Sequence, residues 1–262
     1  MELHEVIVLI IAGSLVGFIN TLAGGGSIIS LSILMYVMGL PAAVANGTNR
    51  IAITLQTLTA TSSFRKQDVL DWRKGIKLGI PSVIGSIIGA FIAVDMDEKV
   101  FEKAMAIIMF FMLAFIFYKP QMWLKGNQEL LKKDVSPFMI VVFFFIGIYG
   151  GFIHVGIGYL LLIAIVMGAG FDLVKANAIK VFIVLLYVPF SLAVFIYNDQ
   201  VNYLYGFTLA IGNIAGALVA SRMAIKNGAN FVRWVIVAVV ILTAANVFGI
   251  IDIQELLSKI NR

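Results

Sequence analysis

The second half of this chain repeats landmarks of the first half at one fixed distance. The matching residues lie 131 positions apart: Gly25 and Gly156, Gly39 and Gly170, Ala45 and Ala176, Asn46 and Asn177, Leu55 and Leu186, and Gly85 and Gly216. This distance is half of the 262 residues, and such a repeat decides the architecture before secondary structure is assigned. The sequence therefore predicts one unit built twice, with residues 1–118 as the first repeat, 119–136 as a cytoplasmic linker and 137–262 as the second repeat.

Composition places both repeats in a lipid bilayer. Hydrophobic residues make up 61% of the chain and charged residues 13%, with a mean hydropathy of +1.02, whereas a soluble domain has about 25% charged residues. The net charge of +5 lies mainly in short loops, so we expect no nucleic-acid partner. Without cysteine and with two histidines, we expect no metal and no cofactor.

Apolar runs divide the chain into about ten candidate membrane segments, five in each repeat. They cover residues 5–22, 28–40, 42–63, 75–95, 99–118, 138–153, 157–169, 172–197, 204–222 and 231–250. The second segment of each repeat has only about 13 residues, or ~20 Å of helix, which is less than the ~30 Å hydrocarbon core. Each follows a glycine cluster, and irregular backbone at membrane depth requires protein or a cavity around it. We therefore expect a broken-helix hairpin near the midplane in each repeat.

Loop charges predict that the two repeats have opposite orientations, because cytoplasmic loops collect Lys and Arg. The loop after residue 63 is strongly basic, whereas its counterpart at 196–208 has no base. The next pair reverses this bias, since 95–103 is rich in acids and 222–233 has bases only. The predicted fold class is an all-α integral membrane protein with two inverted-topology repeats. We expect it in the cell (inner) membrane as a multi-pass protein with both termini outside the cytoplasm.

Two cations inside apolar segments indicate a binding site. Arg50 and Lys180 each lie about eight residues into a helix, ~12 Å from its start, and would approach the midplane from opposite sides. Such residues usually face an interior and are paired or functional. Half-helix N-termini also attract anions, so we expect the two cations and the glycine-opened helices to bind one anion. The alternative is that both side chains reach the interface or bond to carbonyl groups freed at the hairpins.

Polar residues around these cations complete the predicted substrate site. For Gln56 and Tyr187, helix packing and substrate contact are equal alternatives. His154 is a candidate for proton coupling, because a histidine can titrate near neutral pH; a fixed hydrogen-bond donor is the alternative. The predicted substrate-binding residues are Asn20, Gly24, Gly25, Gly26, Ser27, Asn46, Thr48, Asn49, Arg50, Gln56, His154, Gly156, Gly158, Asn177, Lys180 and Tyr187.

These motifs resemble the TauE/SafE family of sulfite and organosulfonate permeases. The likeness covers nearly the whole chain, in GFINTLAGGGSIISLSIL from residue 17, GLPAAVANGTNR from residue 39, GFIHVGIGYLLLIAIVMGAG from residue 151 and KANAIK from residue 175. The resemblance implies a permease with two related halves that moves sulfite or sulfonate-type anions, in some members coupled to protons. The second motif departs from the family pattern, because HVGIGY replaces the usual glycine-rich run, which leaves the substrate open.

The leading hypothesis is a secondary transporter for a small oxyanion such as sulfite or an organosulfonate, working by alternating access, with proton coupling through His154 as an option. The alternatives are an anion channel or a permease for another small anion such as a carboxylate. No HExxH motif and no paired intramembrane carboxylates occur in the sequence, so we predict that the protein is not an enzyme. The expected partners are a small anion and the lipid bilayer, and a homo-oligomer stays open.

Overall fold

The computed structural model describes residues 1–97, 99–101, 103–104, 107 and 127–247, and the regular elements in these ranges are all helices. They are α1 (Leu3–Leu22), α2 (Ser27–Ser32, continued by a π-helical turn over Ile33–Val37), α3 (Ala42–Arg65), α4 (Trp72–Val94), α5 (Gln128–Lys132), α6 (Pro137–Phe152), α7 (Ile157–Ile163, continued by a π-helical turn over Ala164–Gly168), α8 (Leu173–Tyr197) and α9 (Tyr203–Val247). The all-α fold class is confirmed. Most of the predicted segment 99–118, part of the linker and the C-terminal residues 248–262 lie outside the described residues.

Four helices are long and apolar enough to cross a membrane: α1, α4, α8 and α9 as far as Ala238. Helix α3 has a similar length, but the polar side chains that it carries inward lower its hydropathy. The predicted segment 204–222 and the described part of the predicted segment 231–250 both fall within α9. The backbone of Gly228 interrupts this helix with φ 72° and ψ −171°, so the break lies between the two predicted segments.

Capping residues explain where several helices begin. Asp71 accepts a hydrogen bond from the amide of Lys74 at the start of α4, and Asp172 accepts from Val174 at the start of α8. A side-chain acceptor at this position satisfies one of the amides that a helix N-terminus leaves without a partner. The helix at the matching position of the first half, α3, differs from α8, because it follows Pro41 and no side chain caps it.

Helix packing follows the 131-residue offset. Helix α1 packs on α9 and α6 packs on α4, while α3 and α8 contact each other at the centre. Both outer pairs approach closely at the matching glycines: a Cβ atom on Gly216 would lie 2.0 Å from the carbonyl oxygen of Ser14, and one on Gly85 would lie 2.1 Å from that of Phe144. Small residues permit this approach between membrane helices. The inverted orientation of the two repeats stays a prediction.

The outward faces of α4 and α9 are apolar stripes. Exposed side chains recur at four-residue intervals on α4 at Ile76, Ile80, Ile84 and Ile88, and the matching positions of α9 include Phe207, Ile211 and Val219. A four-residue spacing places side chains on one helix face. Polar groups, by contrast, are buried toward α3, α8 and the two short helices, so the site lies inside the bundle.

Candidate functional site

The two glycine-opened turns meet in the interior of the bundle. A Cβ atom on Gly24 would lie 2.3 Å from the Cα atom of Gly158, and the reverse substitution gives the same distance. Gly24 also has a φ of +96°, a conformation that costs other residues strain. The starts of α2 and α7, which the sequence placed near one another, are therefore in direct backbone contact.

A small cavity lies beside this contact. The residues that border it are Asn20, Gly24, Ile53, Gln56, Thr57, His154, Ile157, Gly158, Lys180, Val181 and Val184. Six of them belong to the predicted site, and Lys180 is the one Lys or Arg among them. The free volume of the cavity is about 20 Å³, enough for about one water molecule. In this conformation the cavity is too small for a sulfite ion.

Lys180 borders the cavity, and its ammonium group donates three hydrogen bonds within the protein. Its Nζ atom donates to the carbonyl oxygens of Asn20 at 3.1 Å and Thr21 at 2.9 Å. The third hydrogen bond goes to Oδ1 of Asn177 at 2.6 Å. Since an ammonium has three protons, an anion can reach Nζ only by displacing one of these oxygens.

Arg50 is also fully buried, but it does not border the cavity. Its Nη2 atom donates to the carbonyl oxygen of Gly151 at 2.6 Å, and its Nη1 atom donates to that of Gly150 at 3.2 Å and to Oγ of Ser191 at 2.8 Å. The guanidinium also lies 4.6 Å from the centre of the Phe195 ring. The expected convergence of both cations on one hollow is therefore not seen, and the carbonyl-bonding alternative describes their contacts.

Together the two cations complete the hydrogen bonding of two helix C-termini. Lys180 in the second repeat binds the last turn of α1 in the first, and Arg50 in the first repeat binds the last turn of α6 in the second. Asn46 adds a hydrogen bond from Nδ2 to the carbonyl oxygen of Phe152 at 2.7 Å. Carbonyl groups in the last turn of a helix lack partners within the helix, and cations there also oppose the helix dipole favourably. Each cation thus caps a helix that lies in the other half of the chain.

A chain of amides crosses the cavity wall from α1 to α9. Oε1 of Gln56 accepts from Nδ2 of Asn20 at 3.4 Å and from Nδ2 of Asn213 at 3.1 Å. Asn213 is not one of the predicted site residues, and it is fully buried with Oδ1 unpaired among the described residues. A side-chain amide within the apolar segment 204–222 is the sequence signal that points to Asn213. Gln56 therefore both contacts the cavity and joins helices.

His154 borders the cavity in a strained conformation. Its φ is +63°, one of three positive values at non-glycine positions in the described residues, and such strain is concentrated at functional sites. Nδ1 lies 2.9 Å from the hydroxyl oxygen of Tyr187, and the hydroxyl of Tyr149 donates to the carbonyl oxygen of Val155 in the same turn. Tyr187 does not border the cavity itself, but it orients the imidazole that does.

The remaining predicted residues do not border the cavity. Ser27 accepts from Asn20 at 3.4 Å, and Asn49 is buried with Oδ1 unpaired in the described part of the chain. Thr48 lies elsewhere, because its hydroxyl accepts from the amide of Asn202 at the start of α9. The residues outside the lining are Gly25, Gly26, Ser27, Asn46, Thr48, Asn49, Arg50, Gly156, Asn177 and Tyr187.

Comparison with known proteins decides the family of this chain. A family model described as "Sulfite exporter TauE/SafE" matches residues 9–247. The chain belongs to the TauE/SafE family. The resemblance seen in the sequence motifs is thereby confirmed.

Curated relatives of this TauE/SafE chain are full-length matches. A protein named probable membrane transporter protein ORF9 from a Sinorhizobium species is 28% identical over 93% of this chain and 92% of its own. Probable membrane transporter protein YfcA of Escherichia coli K12 is 27% identical over 95% and 92%. Probable membrane transporter protein YunE of Bacillus subtilis 168 is 24% identical over 89% and 95%. No solved structure matches the chain. The protein is a multi-pass membrane transporter and not an enzyme.

Proposed function

We propose that this TauE/SafE protein carries a small oxyanion, such as sulfite or an organosulfonate, through the cavity at the contact between its two glycine turns. The observation that carries the proposal is the position of Lys180, a buried cation on the wall of a cavity that no described acidic side chain borders. The amide groups of Asn20 and Gln56 supply hydrogen-bond donors at the same wall. A charged site of this kind inside a membrane protein is usually functional.

Closure of the cavity supports alternating access rather than a channel. The direct contact between Gly24 and Gly158 leaves free volume for about one water, whereas a channel needs a continuous pore. Substrate entry therefore requires the two turns to separate. In a carrier, rigid movement of one repeat against the other produces this separation around a fixed site.

Lys180 links anion binding to movement of the turns. Its ammonium group caps the last turn of α1 through the carbonyl oxygens of Asn20 and Thr21. An anion that takes a hydrogen bond from Nζ must displace one of these two oxygens or Oδ1 of Asn177, because no proton of the ammonium is free. Displacement of either carbonyl oxygen releases the end of α1, which leads directly into the turn at Gly24. We infer that this exchange of partners allows the turn to move when substrate arrives.

Substrate binding to charge variants tests the site. We expect Lys180→Gln to weaken binding of sulfite, a sulfonate or a competing carboxylate about 10- to 100-fold, the range for a lost charge-assisted hydrogen bond. Lys175→Gln is the matched control, since Lys175 lies on the same helix and is exposed; its affinity should equal that of the wild type. Titration calorimetry on purified protein measures both. Unchanged affinity in a folded Lys180→Gln protein would refute the site.

Proton coupling is proposed at His154, because its imidazole borders the cavity and contacts the Tyr187 hydroxyl. We expect His154→Gln to retain substrate binding and exchange but to lose uptake driven by a pH gradient in proteoliposomes. Tyr187→Phe keeps the aromatic ring and removes the hydroxyl, so it should reduce the pH-driven rate less severely. Full pH-driven uptake by the His154→Gln protein would exclude this role.

A further inference from the structure

A second cleft lies on the outer surface between α3 and α9, away from the two glycine turns. Its free volume is about 620 Å³, within the ~300–1,000 Å³ of typical ligand clefts. Leu58 and Leu218 form its apolar wall, and Lys66, Gln67 and Arg222 border its other end. We call this cleft the α3–α9 groove. Its floor is closed where the hydroxyl of Ser221 donates to Oγ of Ser63 at 2.8 Å.

The groove changes from apolar to cationic along its length. Leu58, which is 49% exposed, precedes Lys66 by eight residues of helix, a distance of about 12 Å. One leaflet of a bilayer has about 15 Å of hydrocarbon, half of the ~30 Å core. The groove therefore has the length and polarity of one lipid leaflet, and its cations lie at the end farther from the membrane midplane.

Neighbouring residues indicate that these cations lie at the level of the lipid headgroups. Helix α3 ends at Arg65, whose guanidinium lies 5.2 Å from the centre of the Trp72 ring. Trp72 is 38% exposed, and tryptophan is enriched at the membrane–water interface. Lys66 follows Arg65 in the chain, and its side chain borders the groove and not the Trp72 ring. The loop charges also predict that this end of the groove is cytoplasmic.

Among the described residues, no acidic side chain neutralises the positive charge of the groove. Neither Lys66 nor Arg222 forms an ion pair or a side-chain hydrogen bond within the described residues, and no acidic side chain borders the groove. Lys77, by contrast, is paired with Asp134 at 2.6 Å. Two cations at one end of a cleft with apolar walls are complementary to a single molecule that has an anionic head and an aliphatic tail.

We propose that the α3–α9 groove binds one anionic phospholipid, with an acyl chain along Leu58 and Leu218 and the phosphate between Lys66 and Arg222. Basic pockets between membrane helices on the cytoplasmic side recognise such headgroups. A free oxyanion would not use the apolar wall, and a zwitterionic lipid would bring a cation to a site that already has two. The bound lipid joins α3 to α9, the two helices that the hydrogen bond from Asn213 to Gln56 also links, and Gln56 borders the central cavity.

Native mass spectrometry of the full chain, titrated with phosphatidylglycerol or phosphatidylcholine, tests this site. We expect the wild type to bind one phosphatidylglycerol more tightly than the others and to prefer it to phosphatidylcholine. The double variant Lys66→Gln/Arg222→Gln should weaken this binding about 30-fold, from the energy of two surface cations near an anionic lipid. The matched control Lys132→Gln/Lys133→Gln removes the same charge elsewhere and should leave the binding unchanged.

A third variant tests the apolar wall without changing the charge. Leu218→Trp places a larger side chain in the groove, so it should weaken the binding of phosphatidylglycerol with both cations present. If the double variant does not fold, the single variants Lys66→Gln and Arg222→Gln should each weaken binding about fivefold. Equal binding by the Lys66→Gln/Arg222→Gln protein and the wild type, or equal affinity for both lipids, would overturn the proposal. Displacement of the lipid by sulfite or inorganic phosphate, with binding insensitive to Leu218→Trp, would overturn it in favour of a free-anion site.

Discussion

Arg50→Met is expected to destabilise the protein strongly, because Arg50 caps the last turn of α6. The substitution keeps most of the side-chain volume but leaves the carbonyl oxygens of Gly150 and Gly151 without their charged donor. Each buried group left unpaired costs about 1–3 kcal/mol, and the substitution leaves two such carbonyl oxygens. We therefore expect the free energy of unfolding to fall by about 3–5 kcal/mol.

Thermal unfolding in detergent measures this loss. At about 2–4 °C per kcal/mol, the melting temperature of the Arg50→Met protein should fall by roughly 10 °C. Arg50→Lys keeps the charge but not the two-pronged geometry, so its loss should be intermediate. Arg65→Met is the matched control, since Arg65 lies at the exposed end of the same helix and contacts one aromatic ring; we expect a cost of at most about 1 kcal/mol.

The two roles considered for Arg50 give opposite patterns. A structural cap lowers the melting temperature whether or not substrate is present, and the affinity of the folded fraction stays near that of the wild type. A direct substrate ligand would instead lower the affinity and leave the melting temperature close to that of the Arg65→Met control. The second pattern would refute the reasoning given for the cap.

Two further predictions concern the glycine contact and the surface. Gly158→Ala should abolish transport and lower the melting temperature, because its Cβ would lie 2.3 Å from the Gly24 backbone; Gly39→Ala, which has open space around it, should cost about 1–2 kcal/mol of strain and keep transport. The Lys77 ammonium holds the pKa of Asp134 below its usual 3.8, so their pairing stabilises the fold above that pH and is lost as pH falls through the lowered pKa. Lys77→Gln should therefore raise the pKa of Asp134, which a carboxyl-carbon NMR titration can detect; an unchanged value would contradict the pairing.

Most of the helices could be predicted from the sequence, because a helix depends on the local pattern of apolar residues and glycines. Continuous apolar runs identified α1, α4 and α8, and a run of about 13 residues after a glycine cluster identified each short helix. The contact between Gly24 and Gly158 also agrees with the expectation that the two turns lie together. The π-helical turns that end both short helices were not predicted, since no residue pattern distinguishes them from α-helix.

The orientation of the buried cations could not be read from the sequence in the same way. The position of a residue along a helix gives its depth in the membrane. The direction of its side chain depends on the rotation of the helix about its axis, and the side chains of neighbouring residues differ by about 100° in direction. By the repeat offset, Lys180 corresponds to Asn49 and Arg50 corresponds to Val181, so the two cations lie one residue out of register. Lys180 borders the cavity, whereas Arg50 contacts the last turn of α6. Asn213 was missed because its partner Gln56 is 157 residues away.

The exchange of caps between the repeats makes each half dependent on the other for its own integrity. A fragment ending in the linker would contain α1 but not Lys180, and the complementary fragment would contain α6 but not Arg50. Each would expose unpaired peptide carbonyl groups to hydrocarbon, where such groups cost several kcal/mol. Neither fragment should accumulate in a membrane by itself, while co-synthesis of the two should restore both. The two halves of the transporter thus depend on each other as the subunits of an obligate heterodimer do, although one chain joins them.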